Sequence, residues 1–330
     1  MGRAFLRAIS LTSAGLIVIF IAGCGSASGD GAPSGLEKTT ITVGAVPVAD
    51  EAGLFIAQDE GLFRDEGLDV RIDPIVSSAL ATQDQNNGTY DVTAGNSVSY
   101  IQDQVSGRSN LEIIAEGSLM QPNNQALYTL SGSPLRSITQ LGHARIGVNV
   151  TNNIGTLLIS SVLEEHGVSL RDVTFVAVKT GFPGMAQALQ QHQIDVAWLP
   201  EPFGSADAMK YGFQEVADLD QGATTSFPVG WYVVTKTWAK KYPRTLGAFL
   251  DALKQGQEIA DTDRSAVEQA MEKLPFPYTV AAPIAAVMSL ENYPLSVAPD
   301  IDLSRVQRVA DAMYQFHMLT QTFHVSSMAG

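Results

Sequence analysis

"YDVTAGNS" at residues 90–97 and "IDVAWLPEPF" at residues 194–203 settle the architecture when they are read together. Each is a short apolar run entered through an Asp-Val pair, Asp91 and Asp195, at an offset of 104. Working back from the first, periodicity predicts a strand "ITVGAVPV" (41–48), a helix "AGLFIAQDEGLF" (52–63), a strand "LDVRIDPI" (68–75) and a polar helix "SSALATQDQNNG" (77–88). Working back from the second gives the same order: a strand "ARIGVNV" (144–150), a helix "GTLLISSVLEEHG" (155–167), a strand "VTFVAV" (173–178) and a helix "PGMAQALQQHQ" (183–193). Leu158, Ile159, Val162 and Leu163 share one face of the third helix, and Met185, Ala188, Leu189 and His192 one face of the fourth. Gly67 and Gly167, 100 positions apart, each supply a left-handed helix stop.

A β-α-β-α-β order met twice at nearly constant offset predicts an α/β fold of two similar lobes, with parallel strands joined by right-handed crossovers. A single doubly wound sheet would fit the same pattern. Two polar, Gly/Pro-rich breaks, at 116–135 and 221–230, favour two lobes, because two separate crossings make a hinge. The expected division is 39–117 plus 229–330 for lobe I and 118–228 for lobe II. Beyond the second break, "TLGAFLDALKQG" (245–256) places Leu246, Phe249, Leu250 and Leu253 on one stripe. "RVQRVADAMYQF" (305–316) does the same with Val306, Val309, Ala310, Met313 and Phe316. These helices are expected to pack back on lobe I as core.

The first 23 residues have a secretory layout: basic Arg3 and Arg7, an apolar stretch of about Ala8 to Ala22, then small residues. The stretch is short for a spanning helix. "IAGC" (21–24) resembles the lipobox of bacterial lipoproteins, and Cys24 is the only cysteine in the chain. That resemblance implies a signal peptide over 1–23 and lipidation of Cys24. "GSASGDGAPSG" follows, and residues 24–38 read as a flexible tether. With one cysteine no intramolecular disulfide is available. The expected location is the outer face of the cell membrane, held by lipid.

The 330 residues carry 20 Lys plus Arg against 34 Asp plus Glu, a formal charge of −14, and 45% are hydrophobic. A chain of this kind buries a large core, and its acidic surface repels nucleic acid and anionic headgroups. No zinc-protease, nucleophile-elbow, P-loop or dinucleotide motif is present. His143, His166, His192, His317 and His324 lack metal-ligand spacing, so no metal and no cofactor is expected. The chain does offer polar strand-to-helix turns, "PVADEAG", "VSSA", "AGNSVS" and "VTNNIGT", at matching places in the repeat. In open parallel sheets ligands settle beyond the carboxyl ends of the strands. Ser77, Ser78, Asn96, Ser97, Asn152, Asn153 and Thr156 are candidates there, though each also suits a helix cap. Phe182 is a candidate contact ring, and Trp198 and Trp231 candidate flat walls. Asp50, Glu51 and Glu201 add acids near the rim against one base, Lys179. Two carboxylates beside an inorganic anion cost about 1 kcal/mol each at 4 Å even in water, so an organic solute with an amine or ring nitrogen is expected rather than nitrate.

"VPVADEAGLFIAQDEGLFRDEGLDV" (46–70), "GTYDVTAGNS" (88–97) and "FPGMAQALQQHQIDVAWLPEPF" (182–203) resemble the substrate-binding proteins of ABC importers. The likeness is to the nitrate/sulfonate/taurine group, whose fold is shared with the thiamine-pyrimidine synthase family. The resemblance implies a type II periplasmic-binding-protein fold, a two-lobe clamp on a hinge that closes on a small solute and hands it to a permease and ATPase complex. It implies a monomer without catalysis, with sulfonate-like, taurine-like or nitrogen-heterocycle-like solutes as the candidates. It also implies ligand contacts at Asp50, Ser77, Ser78, Asn96, Ser97, Asn153, Gly155, Thr156, Phe182 and Glu201. Many members have Asp where this chain has Gly184. The enzyme branch is less similar, since its cysteine-rich motif has no counterpart in a chain with Cys24 alone. A ligand-sensing lipoprotein is the remaining alternative.

Overall fold

A computed structural model describes residues 35–274 and 280–330; the signal stretch, Cys24 and all but the end of the tether lie outside the described residues. Among the described residues ten strands form two five-stranded sheets: β1 (Thr40–Ala45), β2 (Asp69–Pro74), β3 (Val92–Asn96), β4 (Leu111–Leu119), β5 (Gln125–Thr129), β6 (Arg145–Val148), β7 (Thr174–Ala177), β8 (Val196–Pro200), β9 (Gln214–Asp218) and β10 (Pro228–Thr235). The orders are β2-β1-β3-β10-β4 and β7-β6-β8-β5-β9. The repeated pattern is therefore two sheets, one per lobe, and not one doubly wound sheet.

The repeat is physical as well as numerical. Asp91 accepts the backbone N–H of Thr42 on β1, and Asp195 accepts that of Arg145 on β6, so each aspartate ties the entry of its lobe's third strand to its first. Gly67 and Gly167 turn at φ +79° and +72°. Two helix ends differ from expectation. The helix after β1 stops at Asp59, because Gly61 takes φ +79°, and resumes only as Leu62–Asp65. The helix before β8 runs Met185–Gln190, leaving His192 exposed at φ +54° rather than on the buried face.

The parallel sheets expected each carry one reversed strand. β10 is antiparallel to β3 and β4, and β5 is antiparallel to β8 and β9. In each sheet the antiparallel strand is the one that crosses from the other lobe. The stretch 116–135, polar by composition, holds the end of β4 and all of β5, whose five residues are buried. Inter-strand bonding on both edges satisfies the β5 backbone, so polar composition there marks a cleft-facing strand rather than a loop.

Helix Pro243–Thr262 packs on helix Ala52–Asp59 over the first sheet, so closely that a Cβ at Gly256 would lie 2.2 Å from the Gly53 carbonyl oxygen. Helix Leu303–Gln315 covers the other face, burying Val306, Val309, Ala310 and Met313 at helical spacing. The free edge of β4 is closed by bridges Ala115 to Val297 and Leu119 to Asn292, so the segment after residue 290 belongs to the first lobe. Within this edge Glu116, fully buried, receives a two-pronged bond from Arg305, with both N–O distances 2.7 Å. Among the described residues no helix is long and apolar enough to cross a membrane.

Candidate functional site

The carboxyl ends of β1, β3, β6 and β8 meet between the two sheets. β5 and β10 run the opposite way, so they present their first residues at the same place. There the lobes enclose a cavity of about 30 Å³. From the first lobe it is lined by Val48, Asp50, Glu51, Asn96 and Gly230, among others, and from the second by Gln125, Asn149, Asn153, Phe182 and Trp198. A volume of this order holds one or two waters, so the lobes are closed upon each other and a solute of ordinary size enters only when they part. A larger groove of about 700 Å³ lies at the amino ends of β6 and β8, lined by the second lobe alone, where an α/β sheet does not bind ligands.

The acids are the chemistry of the cavity. Asp50 sits in the turn after β1 and accepts bonds from Ser118 Oγ (3.2 Å) on β4 and Gln125 Nε2 (3.1 Å) on β5, one from each sheet. Burial pushes its carboxyl up to about 6, against the pull of those hydrogen bonds. Glu51 is fully buried, and neither of its oxygens has a partner at hydrogen-bond geometry, although the Tyr232 phenol lies beside it. Burial pushes it well above the usual carboxylate range, and the charge of Asp50 adds to that. Glu291 stands behind Asp50, bonded to Asn124 Nδ2 at 2.7 Å across the lobes, and is also pushed well up by burial and then by Asp50. Among the described residues no Lys or Arg lines the cavity; Lys179 lines a separate groove on the second lobe.

Most of the small polar candidates are bound up in local structure. Ser77 caps helix Ser78–Asn86. Ser78 Oγ accepts from both the backbone and the side chain of Asn96. Asn96 caps helix Ser97–Val105 and Asn153 caps helix Ile154–Glu165, while Asn153 Nδ2 donates to Asn149 Oδ1 at 2.7 Å. Ser97 Oγ donates to the Pro228 carbonyl. The carbonyl of Asn152 accepts from Gln102 of the other lobe at 2.7 Å, and Asn149 Nδ2 donates to the Val76 carbonyl, so both hold the closed arrangement together. Thr156 Oγ1 is buried without a partner, outside the cavity lining.

The rings divide. Phe182 and Trp198 meet edge to face at 5.2 Å and both line the cavity. The indole lies flat on Gly155, where a Cβ would come within 2.2 Å of it, so Gly155 acts by making room. Trp231 is fully buried in the core and does not line the cavity. At Gly184 a Cβ would lie 1.8 Å from Thr180 Oγ1, so the Thr180 hydroxyl occupies the place that an aspartate side chain would need.

Glu201 does not line the cavity. Its Oε1 accepts from Ser205 Oγ (2.6 Å) and from the first lobe's Ser289 N–H (3.4 Å), its Oε2 accepts from Ser205 N–H (3.1 Å), and its carbonyl accepts from Ala49 N–H (2.9 Å). The carboxylate thus caps helix Phe203–Tyr211 and latches the lobes. Glu201→Ala strips half-buried donors on Ser205 and Ser289 of their acceptor and is expected to cost about 1 kcal/mol. Urea unfolding would reveal it, and a variant as stable as the parent would remove the latch from the account.

Gln125, Asn149 and Gly230 are cavity residues that the sequence did not single out. Gln125 and Gly230 lie at the start of antiparallel strands, whereas periodicity points to the carboxyl ends of parallel ones. Asn149 lies within the strand predicted over 144–150, which ends at Val148.

The comparisons agree with this architecture. No curated protein sequence matches the chain. Among solved structures, the ligand-binding component of an ABC-type import system from Staphylococcus aureus, with zinc bound, superposes with a TM-score of 0.75 at 15% identity, covering 89% of this chain and 97% of that one. The alkanesulfonate-binding protein SsuA from Xanthomonas axonopodis pv. citri, bound to MOPS, gives 0.73 at 17% identity, covering 90% and 99%. The desulfurization enzyme DSZB gives 0.65 at 14% identity, covering 89% and 96%. These likenesses establish the type II periplasmic-binding-protein fold. The model of the family described as NMT1/THI5 like matches residues 49–263, well over half of the sequence, and the chain belongs to that family.

Proposed function

We propose that the chain is the extracytoplasmic solute-binding protein of an ABC-type importer. Lobe I (39–117 plus 229–330) and lobe II (118–228) part to admit a small organic solute, close over it by hinge motion, and present it to a permease and ATPase complex. Residues 1–23 direct export, Cys24 carries the lipid that holds the protein at the membrane, residues 24–38 are the tether, and the protein works as a monomer. The observation that carries this reading is the cavity enclosed by both lobes at the carboxyl edge of both sheets. The bonds that cross the cleft beside it, from Gln125 to Asp50 and from Gln102 to Asn152, connect cavity and closure. A solute that contacts both lobes has more contacts in the closed state, and that differential affinity is what drives closure. Two of the neighbours are binding components; DSZB shows that the fold also serves an enzyme, so turnover by the purified protein is the competing outcome. Trp198 lines the cavity and reports on it. Titration with the cognate solute is expected to change tryptophan fluorescence saturably, with the solute recovered unaltered; recovery of a converted product would transfer the chain to the enzyme branch.

A further inference from the structure

Most polar atoms that line the cavity are paired within the protein. The amides of Asn96, Asn149 and Asn153 are taken up by caps, a neighbouring backbone N–H and lobe contacts. One Asp50 oxygen takes Ser118 and Gln125. Four buried side-chain atoms of lining residues have no partner at hydrogen-bond geometry: both oxygens of Glu51, which the Tyr232 phenol adjoins, Gln125 Oε1 and Trp198 Nε1. Buried polar atoms in a folded chain are paired as a rule, so unpaired atoms contributed by both lobes beside one cavity call for a partner. Three of the four accept hydrogen bonds and one donates. A second acid, Asp50, adjoins them with Glu291 behind it, and two aromatic rings form the facing wall.

We propose that, once the lobes part enough to enlarge it, the cavity takes a small organic cation bearing two or more N–H groups, held beside the Phe182 and Trp198 rings and the side-chain oxygens of Glu51 and Gln125. The inference rests on the solute-binding reading above and names the class of solute. An amidinium or guanidinium group supplies the donors, its charge answers Glu51, and its flat face suits an aromatic wall. A metal ion does not fit: among the described residues no three His, Cys, Asp or Glu side chains are grouped to hold one. An anion is opposed, because acids line the cavity and no base does.

The site also carries a proton linkage. Glu51 faces Asp50 in its own turn, the Tyr232 phenol on β10, Tyr100 on helix Ser97–Val105 and Tyr293, with Glu291 beyond Asp50. Every one of these neighbours is an acid or a phenol. Burial raises the Glu51 carboxyl well above the usual carboxylate range, so a cation bound beside it favours release of its proton. Affinity is therefore expected to rise with pH over the range in which that carboxyl loses its proton.

The test is calorimetric titration of the purified full chain with acetamidinium and methylguanidinium chlorides, the isosteric neutrals acetamide and methylurea, and acetate, nitrate and methanesulfonate. The expected result is binding by the two cations at least tenfold tighter than by their neutral isosteres. The heat should differ between phosphate and Tris buffers, because a proton is released. Glu51→Gln is expected to remove the preference for the cation, and the buffer dependence of the parent protein gives the same answer if that variant fails to fold. Neutral or anionic probes binding as well as the cations would overturn the class and leave the solute-binding reading standing. If no probe binds, the compound released from the purified protein on denaturation decides: a protonated nitrogen base supports the proposal, and any other compound overturns it. A protein that binds no probe and releases nothing overturns both.

Discussion

Arg305→Ala is expected to lower the unfolding free energy by about 3–5 kcal/mol. Glu116 has no exposed surface, sits mid-strand in β4, and its carboxylate is met only by the two-pronged guanidinium of Arg305 from helix Leu303–Gln315. Truncating Arg305 leaves that charge buried without a partner, which costs far more than the net worth of the pair. The pair also pins the last long helix to the first sheet, so the loss should appear in the C-terminal segment first. Urea denaturation of the variant measures the total. Adding Glu116→Gln to Arg305→Ala is expected to recover part of the loss, since no charge then remains to be buried. A single-variant change below about 1 kcal/mol would show that the carboxylate reaches water when Arg305 is gone, contrary to its complete burial here.

The ligand-free protein is expected to be more stable at pH 5 than at pH 8, and Asp207 is one reason that a single substitution can test. Asp207 lies on helix Phe203–Tyr211, one turn from Lys210, and both its oxygens are buried without a hydrogen-bond partner. Burial pushes its carboxyl up to about 7, opposed by the Lys210 charge. A group whose pKa is raised by folding favours the folded state below its unfolded value, near 3.8, and loses that contribution as pH rises through 7. A shift of about 3 units corresponds to roughly 4 kcal/mol at pH 8. Asp50, at about 6, and Glu51, Glu201 and Glu291, all raised, act in the same direction. Asp207→Asn is accordingly expected to stabilise the protein by about 2–4 kcal/mol at pH 8 and to change little at pH 4. Urea midpoints at both pH values check it. A variant with the same pH dependence as the parent would place the titration elsewhere, with the cavity acids first in line.

Much of this architecture was legible in the sequence because the repeat is written in residues that act structurally. Asp91 and Asp195 hold strand entries, and Gly67 and Gly167 turn helices off, so their constant offsets report two copies of one lobe. The direction of the fourth strand in each sheet was not legible. It depends on which lobe the chain crosses into, and a buried five-residue strand such as Gln125–Thr129 carries no periodicity of its own. The site divides along the same line. Asp50, Glu51, Asn96, Asn153, Phe182 and Trp198 follow or precede strand ends that periodicity locates, and they line the cavity. Ser77, Ser97 and Asn152 occupy equally recognisable turns, yet their polar atoms go to caps, a carbonyl and the opposite lobe. Sequence places a capping residue and a ligand contact at the same position; only the hydrogen-bond partner separates them. Glu291 was beyond reach, since the bridges at Ala115 and Leu119 bring it beside Asp50 from 241 positions away.

The most direct test of the account is the compound that leaves the protein. Purified without refolding, then denatured and analysed by mass spectrometry, the protein is expected to release one small organic solute at close to one equivalent. That solute should rebind the stripped protein, quench or enhance the tryptophan signal saturably, and carry at least two N–H groups. Release of no compound, together with stripped protein that shows neither a fluorescence change nor a thermal shift with cationic, neutral or anionic solutes, would contradict it.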